Sequence, residues 1–389
     1  MSGRNAVSGS SGRTLIVTND FPPRAGGIES FVVSMASRLP PDQVIVHTAR
    51  QAGDREYDAT LPFPVVRDRS PIMLPTPDIA RRSAALAASH GCEQVWFGAA
   101  APLALMAPRL RRAGVERVVA TTHGHEVWWA GVPGSRRALH RIGEVCDVVT
   151  YLGEYCRSRI APALSPQAQL RMRRLTPGVD DVLYHPGAGG DQVRRRHGIE
   201  GRPVVVCVSR MVPRKGQDVL VRALPLIRDA VPGAALLLVG DGPHRKTVER
   251  VVDELGLRDH VVVTGRVPGD ALPSYYDAGD VFCMPSHSRR SVLEVEGLGI
   301  CYLEAAATQL PVVAGDSGGA PDAVLEGENG TVLDGSDVAA VAHACADLLL
   351  DPERAAAYGR RGRQWVAQRW RWEDLAVRLR RLLQGDPVD

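Results

Sequence analysis

Short, almost wholly apolar runs recur along the chain, separated by longer stretches in which apolar residues fall three and four apart. Runs at 14–18, 44–48, 94–97, 117–121 and 148–151 predict one series of strands. Runs at 204–208, 235–239, 261–264, 281–284 and 312–314 predict a second. Strands without polar alternation are buried on both faces, and their alternation with helix-length segments implies parallel sheets with crossover helices. The first helix is expected over 28–39, and the tail 365–384 reads as one amphipathic helix.

The pattern breaks at Tyr184-His185-Pro186-Gly187-Ala188-Gly189-Gly190-Asp191. Pro and Gly at this density predict a linker between two domains. The expected division is a disordered start at 1–12, an N-terminal domain at 13–188, a hinge at 189–201, a C-terminal domain at 202–364 and a terminal helix at 365–389. The fold class is α/β: two Rossmann-like, doubly wound domains facing across a cleft, with the terminal helix packing back on the first. Ligands of such sheets sit beyond the carboxyl ends of the strands.

A length of 389 residues suits two cores, and 44% hydrophobic with 23% charged residues excludes a disordered chain. The net charge of +3 is small, but arginines cluster at Arg81-Arg82, Arg109 with Arg111-Arg112, Arg136-Arg137 with Arg141, and Arg171 with Arg173-Arg174. These are solvated helix faces or contacts for anionic lipid. No nucleic-acid motif accompanies them, so nucleic acid is not an expected partner. Seven scattered cysteines without a Cys-x-x-Cys pair indicate buried thiols, not disulfides or zinc. With no apolar leader and no run long enough to span a bilayer, a cytoplasmic protein is expected.

The first strand runs into Asn19-Asp20-Phe21-Pro22-Pro23-Arg24-Ala25-Gly26-Gly27, where Gly26 and Gly27 open a helix and allow close approach of a phosphate. An ordinary turn explains them equally well. This is not the Gly-x-Gly-x-x-Gly of a dinucleotide fold. In the second half, Arg210 and Lys215 leave one strand end around a turn, a planar fork and a compact charge that suit a diphosphate. Two solvated loop cations would read the same. Glu296 and Glu304 flank Gly297-Leu298-Gly299-Ile300 at a helix start, where the amides of Leu298, Gly299 and Ile300 favour phosphate and the carboxylates can accept sugar hydroxyls. A capping Glu and a surface Glu is the plainer account.

Taken in order, the Gly-Gly loop, Thr122-His123-Gly124-His125, Ser209-Arg210 with Lys215-Gly216, and Glu296 with Glu304 resemble retaining GT-B glycosyltransferases of the glycosyl transferases group 1 family. The segments TLIVTNDFPPRAGGIESF, VWFGAAAPLALMAPRLRRAG, THGHEVWW, VSRMVPRKGQD, EVEGLGICYLEA and AGDSGGAPDAV are most similar to actinobacterial GDP-mannose-dependent phosphatidylinositol monomannoside α-1,6-mannosyltransferases. The resemblance implies that Arg210 and Lys215 hold the donor diphosphate, Glu304 the ribose, Glu296 the donor sugar and Gly27 the distal phosphate. It implies that Val267, after Gly265-Arg266, meets the base through its backbone, and that His123 lies near the transferred sugar. The implied reaction moves mannose from GDP-mannose to a phosphatidylinositol mannoside at the cytoplasmic membrane face, without a cofactor or a metal. Asp20, Trp128, Trp129, Arg81 and Arg82 are the candidates for acceptor or peripheral membrane contact.

One stretch departs from the family pattern. Ser288-Arg289-Arg290-Ser291-Val292-Leu293-Glu294 stands where a Gly-rich run ending in Asp is expected. It leaves open a UDP-sugar donor with a soluble acceptor. A non-catalytic sugar-nucleotide-binding protein is a third reading, which the full set His123, Arg210, Lys215, Glu296 and Glu304 disfavours.

Overall fold

A computed structural model describes residues 12–288 and 295–388. They form two compact units, one of residues 12–152, 157–176 and 373–388, the other of 153–156 and 177–372.

The first unit is built on a parallel sheet of seven strands: β1 (Arg13–Thr18), β2 (Val44–Thr48), β3 (Val65–Arg67), β4 (Cys92–Phe97), β5 (Arg117–Thr121), β6 (Val148–Tyr151) and β7 (Met172–Arg174). Their order is β3-β2-β1-β4-β5-β6-β7. Leu15 of β1 lies opposite Ile45 on one side and Val95 on the other, and Leu15, Ile16 and Val17 have no exposed surface. That double-sided burial is why the run carries no polar alternation.

The second unit repeats the plan with β8 (Val204–Val208), β9 (Ala235–Val239), β10 (Val261–Gly265), β11 (Val281–Met284), β12 (Val312–Gly315) and β13 (Gly330–Leu333), ordered β10-β9-β8-β11-β12-β13. Strand order reverses between β1 and β4 in the first sheet and between β8 and β11 in the second. A crevice for a ligand opens at the carboxyl side of such a reversal.

Every predicted strand is present, with ends moved by two residues at most. The strands that patterning missed are β3, β7 and β13. They are edge or near-edge pieces of three or four residues, mostly half-buried, and β7 reads Met-Arg-Arg.

Two expectations about organisation are corrected. The 189–201 hinge contains a helix, Gly190–His197, which belongs to the second unit. The Asp277 carboxylate accepts the amides of Gly187 and Gly190, each at 2.7 Å, and Arg194 bonds Ala278 O and the Asp280 carboxylate. A Cβ on Gly190 would lie 2.3 Å from Asp277 O, so this glycine serves close packing rather than a linker. Apart from the short excursion at 153–156, the chain passes from the first unit to the second at Thr176–Pro177 instead, and returns after Trp372. The tail, likewise, is two helices, Pro352–Arg369 and Trp372–Gln384. They part where buried Trp370 accepts the Val179 amide at 2.6 Å. Only the second joins the first unit, with Arg38 on Glu373 at 3.3 Å and Arg117 on Leu382 O at 3.1 Å. All seven cysteines are buried free thiols, as composition implied.

Candidate active site

The loop after β8 is folded back by Gln217, whose Nε2 donates to Ser209 Oγ (2.7 Å) and Arg210 O (3.2 Å). Gly216 has φ of +73°, and a Cβ there would stand 2.2 Å from Pro285 O. This left-handed, close-fitting glycine lets the β8 loop press against the loop after β11. The contact delivers Lys215 to Glu296. Lys215 Nζ lies 2.6 Å from Glu296 Oε2, Arg214 Nη1 lies 3.7 Å from the same oxygen, and both Lys215 and Glu296 are buried.

Burial opposes both charges, yet each partner outweighs it for the other. The Lys215 pKa is raised above the usual lysine value because Glu296 faces it, and the Glu296 pKa is lowered by Lys215 and then Arg214. The pair is therefore ionised. Even so, Glu296 Oε2, Arg214 Nη1 and Gln217 Oε1 make no hydrogen bond of ordinary geometry. Buried polar atoms are nearly always bonded, so Arg214 Nη1 and Gln217 Oε1 are open to another molecule's polar groups, although other buried atoms elsewhere among the described residues are likewise unbonded. Arg210 is exposed and makes no ion pair among the described residues.

Glu296 rests on a segment that sequence reasoning quoted but gave no role. After β12, Ser317 Oγ accepts the Glu296 amide at 3.1 Å, and Gly319 N donates to Glu296 O at 2.8 Å. Gly318 has φ of +56°, and a Cβ there would lie 2.3 Å from Glu296 O. The Gly-Gly pair behind a strand was the available signal. Leu298 is buried, while Gly299 (φ +82°) and Ile300 are half-buried at the start of the Ile300–Ala307 helix, whose first amides have no partner within the helix.

Glu304, one turn into that helix, accepts from Tyr276 Oη at 2.6 Å and also from the Tyr184 hydroxyl. The two phenol rings meet edge to face at 5.6 Å. Burial raises the Glu304 pKa, although both phenols and Lys215 pull it down. Neither tyrosine stood out in the sequence, because the partners lie far from Glu304 along the chain. Val267 is half-buried in the loop following Gly265 at the end of β10.

In the first unit, Arg24 in the loop after β1 holds Asp20 and Glu29, each at 2.5 Å. Burial, and then Glu29, raise the Asp20 pKa. Gly26 lies against Glu29, whereas a Cβ on Gly27 would meet nothing. His123, after β5, donates from Nε2 to Gly98 O at 2.5 Å, and its own amide donates to Glu126 Oε2 at 3.0 Å. Phe31 packs edge-on against the imidazole at 5.1 Å. Burial lowers the His123 pKa, so the ring is neutral, with Nδ1 left as an acceptor. Trp128 is exposed and Trp129 half-buried.

The arginines expected to face a membrane are already engaged. Arg81 pairs with Asp78, and Arg82 pairs with both Asp68 and Asp78. The helical i, i+3 and i, i+4 spacing around Asp78 explains this, and it leaves little free positive charge there. Of the departing stretch, Ser288 Oγ lies 3.2 Å from Ser317 Oγ. Arg289–Glu294 fall outside the described residues.

Comparison with known proteins places this geometry among relatives. The glycosyl transferases group 1 model matches residues 191–365. A GDP-mannose-dependent alpha-(1-6)-phosphatidylinositol monomannoside mannosyltransferase of Mycolicibacterium smegmatis is 50% identical over 95% of this chain and 98% of its own. A Corynebacterium glutamicum protein, named for the monoacylated monomannoside, is 41% identical over 96% and 98%. Among solved structures, Anabaena HepE in complex with UDP superposes with a TM-score of 0.80 at 19% identity, covering 96% of this chain and all of that one. At that identity the likeness speaks for the fold alone.

Proposed function

The chain belongs to the glycosyl transferases group 1 family and has the GT-B fold, and on that premise we propose that it moves mannose from GDP-mannose to a phosphatidylinositol mannoside, forming an α-1,6 linkage with retention. One observation carries the reading. Lys215 and Arg214 converge on Glu296 at the carboxyl ends of β8 and β11, where the strand order reverses. The choice of donor and acceptor is supported by the relatives of 41–50% identity.

In this reading Lys215 exchanges its Glu296 contact for a donor phosphate oxygen, and exposed Arg210 supplies the second cation. The freed Glu296 Oε2 accepts a hydroxyl of the mannose. Glu304 takes the ribose hydroxyls, the backbone at Val267 meets the base, and the amides of Leu298, Gly299 and Ile300 support the diphosphate. Gly27, next to open space, admits the distal phosphate. As the sugar–phosphate bond breaks, negative charge gathers on the leaving oxygen, and fixed cations stabilise it without reorganising. The acceptor hydroxyl attacks the anomeric carbon from the side the diphosphate leaves, and its proton passes to the departing phosphate. No protein nucleophile or metal ion is needed. Neutral His123 offers Nδ1 to the sugar or acceptor.

A lipid acceptor calls for peripheral contact with an anionic membrane on its cytoplasmic face. Among the described residues no helix is long and apolar enough to cross a membrane. The test pairs purified protein with GDP-mannose or UDP-sugars, with and without a mannosylated phosphoinositol lipid. Lipid-dependent release of GDP with α-1,6 product is expected, and transfer from a UDP-sugar alone would overturn the assignment.

A further inference from the structure

We propose that the groove between the Pro133–Val145 helix and the Ala161–Ala163 turn binds the phosphodiester head group of an anionic lipid, making this face of the first unit the membrane contact in place of Arg81 and Arg82. The proposal rests on the lipid acceptor argued above and names where the lipid surface is met. The groove encloses about 580 Å³, within the roughly 300–1,000 Å³ usual for ligand sites. Ala130, Pro133 and Leu164 give it apolar walls, and Arg136, Arg137 and His140 give it nitrogen donors.

Charge separates this groove from the Arg81 and Arg82 face. Arg136 is held in place by two neutral carbonyls, with Nη2 on Pro162 O at 2.5 Å and Nη1 on Ala130 O at 3.5 Å. Those bonds orient the guanidinium without cancelling its charge. Among the described residues no carboxylate pairs with Arg136, Arg137 or Arg141. Glu144, one turn beyond His140, accepts instead from Ser165 Oγ. Arg81 and Arg82 differ on this point, since Asp68 and Asp78 neutralise them. An arginine already paired must lose its partner before it meets a phosphate, whereas an uncompensated one gains outright.

The surroundings favour lipid over a soluble phosphate. The short Glu126–Gly131 helix runs straight into the groove wall and carries Trp128, 46% exposed. Val132, at the turn between the two helices, is 37% exposed. An indole and an aliphatic side chain beside free cations suit the boundary between head groups and acyl chains.

The test uses the full chain with phosphatidylcholine vesicles that contain or lack phosphatidylinositol. Partitioning is expected only to the anionic vesicles. Arg137→Gln, which removes no hydrogen bond or ion pair among the described residues, should weaken it about five-fold, and Arg136→Gln with Arg137→Gln about thirty-fold. Arg81→Gln with Arg82→Gln should stay within about two-fold of the parent. Thermal melting checks that removing the Arg136 bridge leaves the fold intact. Unchanged partitioning of Arg137→Gln, an equal loss in the Arg81, Arg82 pair, or saturable inorganic phosphate binding without vesicle binding would overturn the proposal. Transfer to detergent-dispersed acceptor, run on the same samples, separates the two ideas. Its absence in the parent protein defeats the functional reading, while its presence with vesicle binding indifferent to Arg137 defeats the groove alone.

Discussion

Replacing Tyr276 with Phe removes the hydroxyl that donates to the Glu304 carboxylate and leaves the packing in place. The ring still stacks on Phe282 at 5.7 Å and meets Tyr184 at 5.6 Å, so no cavity forms. What is lost is a 2.6 Å hydrogen bond to an ionisable group, worth about 1.5–3 kcal/mol. A bond that favours the carboxylate holds the Glu304 pKa down, so its loss lets that pKa rise further. Burial already places that pKa above its unfolded value. Between the two values the native state binds more protons than the unfolded one, so Glu304 costs stability as pH rises through the window. The substitution extends the window upward.

Donor binding should register the same shift. An ionised carboxylate has about four lone-pair sites, and Tyr276 with Tyr184 leaves about two for the ribose diol. Protonation replaces an acceptor with a donor. In Tyr276→Phe the acid limb of kcat/KM for GDP-mannose should therefore move to higher pH, because that limb reports groups of the free enzyme. At alkaline pH kcat should change little. The measurement is kcat/KM for donor against pH in both proteins, with melting temperature alongside. A lower melting temperature with an unmoved acid limb would show that Tyr276 only packs, and would refute the account of Glu304.

Three further outcomes are expected. Lys215→Met strands a buried carboxylate with Arg214 at 3.7 Å as its remaining cation, and should cost about 3–5 kcal/mol at neutral pH. Denaturant midpoints at two pH values check it, since the deficit must shrink on acidification as Glu296 takes up a proton. Gly318→Ala forces a Cβ onto a left-handed residue and to within 2.3 Å of Glu296 O, costing at least about 1–2 kcal/mol. Mannose transfer should fall well below the parent while calorimetry still detects GDP binding, and equal loss of both would argue for general unfolding. The pKa of His123 is lowered by burial, so the unfolded chain protonates first and stability falls as pH drops from about 6.5 towards the native value. His123→Gln should flatten that fall in denaturation curves between neutral and mildly acidic pH, and an unchanged slope would place the acid sensitivity elsewhere.

The hydrophobic pattern alone determined the strands β1, β2, β4–β6 and β8–β12, because each carries a mostly apolar run; most are buried on both faces, and even β10, a half-buried edge strand, reads Val-Val-Val. It also placed Arg210, Lys215, Glu296 and Glu304 at the ends of elements, where loop chemistry is written in consecutive residues. Tertiary structure decided what a linear pattern cannot hold. The edge strands β3, β7 and β13 exist through neighbours supplied by other segments. The Pro/Gly stretch at 184–191 reads as a hinge until Asp277 and the close fit of Gly190 are seen. Side-chain partners were the least legible of all, since side chains from separate elements meet only after folding. Lys215 on Glu296, Tyr276 on Glu304 and Arg82 on Asp68 are pairings of that kind. The sequence thus named the candidate residues for the chemistry, and packing decided which charges are spoken for, because Coulombic and hydrogen-bond energies depend on distances in space and not on spacing along the chain.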